Sequence, residues 1–119
     1  MDYSGLFDFG RNLYASYAFD NKTGCIKMPM RYCLELTYRC NLKCPFCYIT
    51  GERSIKELTV EEWLDIIDQI PPFTLISFFA GEVLLKEGFE EIYKKASEKF
   101  RKVTLITNGL KLDEHIIDL

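Results

Sequence analysis

The sequence holds a single histidine, His115. That scarcity sets aside both a His-rich metal site and a Ser-His-Asp hydrolase, each of which depends on imidazole. Positive charge is not in excess either. Across 119 residues the formal net charge is −3, with acidic and basic residues interleaved. No basic stripe is present to neutralise a phosphate backbone, so nucleic acid is not an expected partner. There is no long apolar run, and the opening Met1-Asp2-Tyr3-Ser4 brings no cluster of basic residues. Neither a signal peptide nor a spanning helix is expected, which excludes the membrane as a partner and makes the cytoplasm the default location. Internal repeats and low-complexity tracts are also missing.

What is present is enough apolar material for one domain, 48% of the residues, together with five cysteines. Their odd number, the crowding of Cys40, Cys44 and Cys47, and the lack of an export signal argue against disulfides. Reduced thiols holding a metal fit better. Cys25 and Cys33 read as small buried residues or inert thiols.

From Tyr32 onward, short apolar runs alternate with longer helical patterns, the mark of strand-helix units and a parallel sheet. The first strand is predicted from Tyr32 to Tyr38, with Tyr32, Leu34 and Leu36 on its apolar side. Ile49 to Glu57 reads as a polar loop. Thr59-Val60-Glu61-Glu62 then matches a capping box, so a helix begins there. Val60, Trp63, Leu64, Ile67 and Ile70 share one face of it, and Pro71-Pro72 ends it. Thr74 to Phe79 is a second strand, apolar enough to be covered on both faces. A second helix follows, with Phe89, Ile92, Tyr93, Ala96 and Phe100 as its stripe. The third strand is Val103 to Thr107, Asn108-Gly109 is a turn, and a third helix starts at Asp113. Ahead of these units, Leu13 to Phe19 and Cys25 to Met28 flank Asp20-Asn21-Lys22-Thr23-Gly24, which suggests a hairpin. Residues 1–29 are therefore read as an accessory segment and 30–119 as the core.

Cys40-Asn41-Leu42-Lys43-Cys44-Pro45-Phe46-Cys47 has the spacing C-x3-C-x2-C and lies just beyond the first predicted strand. Thiolates are the usual ligands of iron-sulfur clusters, and this loop supplies one fewer than the irons of a [4Fe-4S] cluster. One iron is left open, where a small molecule can bind and react. A zinc site completed by Cys33, Cys25 or His115 and a ferredoxin-like electron carrier remain alternatives. The first lacks the second cysteine pair usual in zinc knuckles, and the second lacks the ferredoxin spacing.

The stretch Leu34-Glu35-Leu36-Thr37-Tyr38-Arg39-Cys40 through Cys47-Tyr48 resembles the radical S-adenosylmethionine (SAM) superfamily, especially members that modify peptides or cofactor precursors. The resemblance implies the first half of a partial (β/α)6 barrel. It also implies a [4Fe-4S] cluster on Cys40, Cys44 and Cys47 whose fourth iron is chelated by SAM, and cleavage of SAM to a 5′-deoxyadenosyl radical. Phe46 and Tyr48 would flank the adenine. Ala80-Gly81-Glu82-Val83 resembles the family's Gly-Gly-Glu-Pro turn, so that Gly81 and Glu82 would receive the SAM amino end, with Ala80 and Val83 departing from the pattern. Ala80 would be strained if its position needs positive φ. Asn108 in Thr107-Asn108-Gly109 resembles an asparagine facing the site. The implied substrate is a peptide, a protein or a cofactor precursor, and the implied reductant a flavodoxin or ferredoxin. Each motif falls at the C-terminal end of a successive predicted strand, the edge where (β/α) barrels build their sites. A degenerate, non-catalytic relative is the remaining alternative. Because the resemblance covers only half of the family's fold, the chain is expected to be a piece of a longer enzyme and inactive alone.

Overall fold

The computed structural model describes residues 4–20, 29–49 and 56–119 and divides into two compact units, Met1–Met30 and Arg31–Leu119. In the first unit, helix α1 spans Ser4–Asp20. This corrects the expected hairpin, whose first arm, Leu13 to Phe19, is helical. The turn and second arm at 21–28 lie outside the described residues. Periodicity is the reason. Leu6, Phe9, Leu13 and Tyr17 recur at the spacing of one helical face, whereas a strand would need strict alternation. An ion pair between Asp8 and Arg11 at 2.7 Å, one turn apart, adds local support.

The second unit is an α/β layer. Strand β1 is Arg31–Thr37, β2 is Leu75–Ala80 and β3 is Val103–Leu105, in the order β1-β2-β3 with both pairings parallel. Parallel neighbours need crossovers, and the chain provides two helices: α2 at Val60–Gln69 and α3 at Phe89–Lys99. Strand order never reverses, so right-handed crossovers put both helices on the same face of the sheet. The core records this. Leu36, Ile76 and Phe78 from the sheet cluster with Trp63 and Ile67 of α2 and with Phe89, Ile92 and Ala96 of α3. Ile67, Ile76, Phe78 and Ile92 are fully buried, each contributing about 1.5–3 kcal/mol.

Local chemistry sets the element ends. At the start of α2, Thr59 accepts from the Glu62 backbone N–H at 3.2 Å while the Glu62 carboxylate accepts from the Thr59 N–H at 2.8 Å. This is the predicted capping box. Ile70 leaves helical geometry just before Pro71-Pro72. After β2 comes an unanticipated 3-10 turn, Val83–Leu85, followed by Gly88 in left-handed conformation at φ 69°. A β-carbon at Gly88 would also sit 2.3 Å from Val60. Strand β3 is shorter than predicted. One further bond, Ile106 N–H to the Phe78 carbonyl at 3.0 Å, extends the ladder, and then Thr107 turns to donate to Glu82 instead. A last short helix, α4, covers Glu114–Ile117 behind Asp113 as N-cap.

Candidate functional site

The C-terminal ends of β1, β2 and β3 meet along one edge of the sheet. Pairing of β1 with β2 slips between Glu35 and Thr37, a bulge of the kind that re-aims a strand end. Beyond it the two chains stay zipped. Gly81 N–H donates to the Thr37 carbonyl at 2.7 Å and Glu82 N–H to the Arg39 carbonyl at 2.8 Å. The approach is so close that a β-carbon at Gly81 would lie 2.2 Å from the Arg39 oxygen. Only glycine fits there. Its neighbour Ala80 has φ 102°, alone among the described non-glycine residues in taking a positive value. Holding a residue with a side chain there costs about 1–3 kcal/mol.

Past Arg39 the chain becomes the cysteine loop. Cys47 N–H donates to the Cys44 carbonyl at 3.1 Å, and Leu42 N–H approaches the Cys40 sulfur at 3.4 Å. Cys40, Cys44 and Cys47 are all half-buried. They line a cleft of about 350 Å³, shared with Phe46, Tyr48, Ala80, Gly81, Thr107 and Asn108. Among the described residues, no three Cys, His, Asp or Glu side chains gather closely enough to hold one metal ion. Single-ion zinc sites demand such convergence, with every donor about 2–2.3 Å from the metal. In a [4Fe-4S] cluster, by contrast, each thiolate takes a different iron. The fourth ligands considered for zinc stand elsewhere. Cys33 is an exposed thiol on β1, which sets aside the buried reading and leaves that of an inert thiol, and His115 pairs with Glu90 at 3.1 Å. Cys25 lies outside the described residues.

Phe46 and Tyr48 are 87% and 67% exposed, which gives the cleft two open aromatic walls. The Tyr48 phenol is pushed up, first by the partial desolvation that remains despite the ring's exposure, then by the charges of Glu35 and Cys47 and by its hydrogen bond to Glu35. Tyr38 also donates its hydroxyl to Glu35.

Glu82 does not line the cleft. Its side chain is wholly buried. Its carboxylate accepts from the Thr107 hydroxyl at 2.6 Å, the Asn108 N–H at 2.8 Å and the Leu84 N–H at 3.2 Å. It therefore braces the end of β3 against the turn that ends β2. Asn108 does line the cleft, and its amide donates to Asn41 in the cysteine loop at 2.8 Å. Its oxygen accepts from Leu110 N–H at 3.0 Å, while Gly109 takes φ 79°.

Sequence reasoning missed a polar cluster behind the loop. Glu57 accepts from Thr37, from Arg39 at 3.1 Å and from Lys86 at 3.1 Å. Burial would raise the Glu57 carboxyl, but hydrogen bonds from Thr37, Arg39 and Lys86 outweigh it and hold the group below the usual carboxylate range. In the sequence Glu57 merely closes a polar stretch. The one available signal was Lys86, a lone cation directly after Val83-Leu84-Leu85.

The family model described as the radical SAM superfamily matches residues 34–119. A PqqA peptide cyclase of Granulibacter bethesdensis is 35% identical over 97 residues, covering 78% of this chain and 26% of the relative. The sporulation killing factor maturation protein SkfB of Bacillus subtilis is 33% identical over 95 residues, or 77% of this chain and 23% of the relative. A PqqA peptide cyclase of Bradyrhizobium diazoefficiens is 33% identical over 89 residues, or 71% and 23%. The chain thus spans about a quarter of the length of these curated relatives. Among the described residues, no helix is long and apolar enough to cross a membrane.

Proposed function

The chain belongs to the radical SAM superfamily, and on that premise we propose that Cys40, Cys44 and Cys47 hold a [4Fe-4S] cluster with one iron left for SAM. When bound, the cluster would supply the electron that cleaves SAM to methionine and a 5′-deoxyadenosyl radical, which abstracts hydrogen from the substrate. The observation that carries this reading is the convergence of all three thiols, the Ala80-Gly81 turn and Asn108 on one cleft at the ends of three successive parallel strands.

The chain's own groups divide the work of binding. Gly81 brings bare backbone to the cleft wall, because its missing β-carbon lets the turn press against Arg39. Glu82 keeps that turn and the Asn108 peptide in register from below, rather than meeting the SAM ammonium itself. Phe46 and Tyr48 offer faces on which an adenine can stack. The thiols supply the negative charge a cluster needs, and the Leu42 N–H beside the Cys40 sulfur stabilises that charge.

The relatives' names, a peptide cyclase and a killing-factor maturation protein, support a peptide or protein substrate for the whole enzyme. A flavodoxin or ferredoxin fits as the electron donor, and the cytoplasm as the compartment. The test is anaerobic reconstitution with iron and sulfide. Cubane absorbance, a reduced-state EPR signal that changes on adding SAM, and loss of the cluster in Cys44→Ala are expected. Zinc bound at one equivalent with no iron retained would overturn the reading. A stable cluster that never yields 5′-deoxyadenosine would instead identify a non-catalytic relative, a reading to which the strained Ala80 lends weight.

A further inference from the structure

The thiol loop leaves the sheet just after Arg39, and Glu57 lies beyond its far side. One carboxylate reaches both flanks. Its Oε1 accepts from the Thr37 hydroxyl and from Arg39 Nε at 3.1 Å, and its Oε2 accepts from Arg39 Nη2 at 3.2 Å and from Lys86 Nζ at 3.1 Å. The Lys86 side chain is only 4% exposed, and its ammonium also donates to the Leu58 carbonyl at 2.6 Å. A lysine this deep needs a counter-charge, and a two-pronged guanidinium contact is directional as well as charged. Such a network differs from an ordinary surface pair, which contributes almost nothing.

The contacts continue toward the site. The Thr37 hydroxyl that Glu57 holds accepts from the Arg39 N–H at 3.0 Å, and the Arg39 carbonyl receives the Glu82 N–H at 2.8 Å. Arg39 is the residue before Cys40. Its carbonyl is therefore held by the Glu82 N–H, its N–H by the Thr37 hydroxyl that Glu57 fixes, and its guanidinium by Glu57 itself.

We propose that Glu57 is a positioning residue for the thiol loop: by joining Thr37 and Arg39 to Lys86 it clasps the base of the loop and fixes Cys40 against the Ala80-Gly81 turn. As a statement about cluster chemistry, this rests on the reading that the thiols hold a cluster. A merely structural ion pair would affect overall stability and leave the behaviour of Cys40 unchanged.

Two measurements on the purified protein separate these cases. In the first, the cluster-free protein is treated anaerobically with an alkylating reagent, and modification of Cys40 and Cys33 is followed by mass spectrometry. Glu57→Gln is expected to accelerate alkylation of Cys40 and leave Cys33 unchanged. In the second, the reconstituted protein is challenged with a ferrous chelator. Glu57→Gln and Lys86→Met should release iron roughly 10–100-fold faster, the usual effect of losing a group that orients a metal ligand. Lys86→Arg should restore the wild-type rate, and Ile92→Val, which thins the core, should not increase it. Should Glu57→Gln fail to fold, Arg39→Gln, whose side chain is half exposed, should show the same Cys40 effect. The proposal is overturned if Cys40 reactivity does not change, or if Ile92→Val reproduces the faster iron loss. A wild-type protein that takes up no iron would remove the cluster reading, and the alkylation measurement would still decide whether Glu57 is the clasp.

Discussion

Replacing Ala80 with glycine should stabilise this protein, although glycine within ordered structure usually weakens it. At φ 102° the alanine side chain is held in a conformation whose cost is about 1–3 kcal/mol. Glycine removes that strain but loses about 0.5–1 kcal/mol in added backbone entropy. The net gain is about 1 kcal/mol, which at a urea m-value of about 2 kcal/mol/M moves the unfolding midpoint up by about 0.5 M. Urea titration of the metal-free, reduced protein, monitored by circular dichroism, measures it. The exchange one residue later provides the contrast. Gly81→Ala places a β-carbon 2.2 Å from the Arg39 oxygen and 2.8 Å from the Tyr38 carbonyl carbon, both backbone atoms. These atoms are tied to the turn, so the cost should be about 3 kcal/mol or more. Opposite signs at adjacent positions are the signature of the geometry. An Ala80→Gly midpoint at or below wild type, with an unchanged m-value, would refute the strain argument.

Glu82→Ala strands the donors of Thr107, Asn108 and Leu84. These three donors are only partly buried, so at about 1 kcal/mol each, the low end of the cost of an unpaired donor, the loss should be roughly 3 kcal/mol. Hydrogen exchange at the Asn108 amide should speed up more than at Ile92, and equal acceleration would contradict the bracing role. The His115 imidazole is raised above its ordinary value, first by its hydrogen bond to Glu90 and then by that residue's charge. A raised folded-state value means that the pair's stabilisation is complete below the unfolded histidine value and fades as pH rises through the folded one. NMR titration of the His115 ring should show a downward shift in Glu90→Gln; an unmoved titration would remove the pair from the account.

How much of this was legible in the sequence depended on whether the signal was local. Thr59 and Glu62 sit one turn apart and announce their own helix, and Pro71-Pro72 ends it, so α2 was readable almost to the residue. The three cysteines could be singled out by their spacing alone, and the structure places them together on one cleft. The parallel sheet followed from alternation of apolar runs with helical stripes. In contrast, Glu82 resembled a ligand-facing carboxylate, and nothing within a few residues of it reveals that Thr107 and Asn108 will consume its oxygens. Glu57 was hidden in the same way, since its partners lie 18 to 29 residues away. Helix α1 was misread for a different reason. Its aromatic residues favour strands by type, while their spacing of three and four favours a helix, and the spacing prevailed.

The β1-β2-β3 order also carries a consequence for how the molecule assembles. Ile76 in β2 meets Val103 in β3, whereas Arg31 in β1 must find Leu75 across a longer stretch of chain that includes the cysteines. Closing the longer loop costs more chain entropy, so β2, α3 and β3 are expected to form first and β1 to dock onto them. Pulsed hydrogen exchange should then protect Phe78 before Leu34 and Leu36, and the reverse order would count against it. On this schedule the thiols approach their turn only in the final step of folding, and a chain still waiting for β1 has not yet formed the cleft they line.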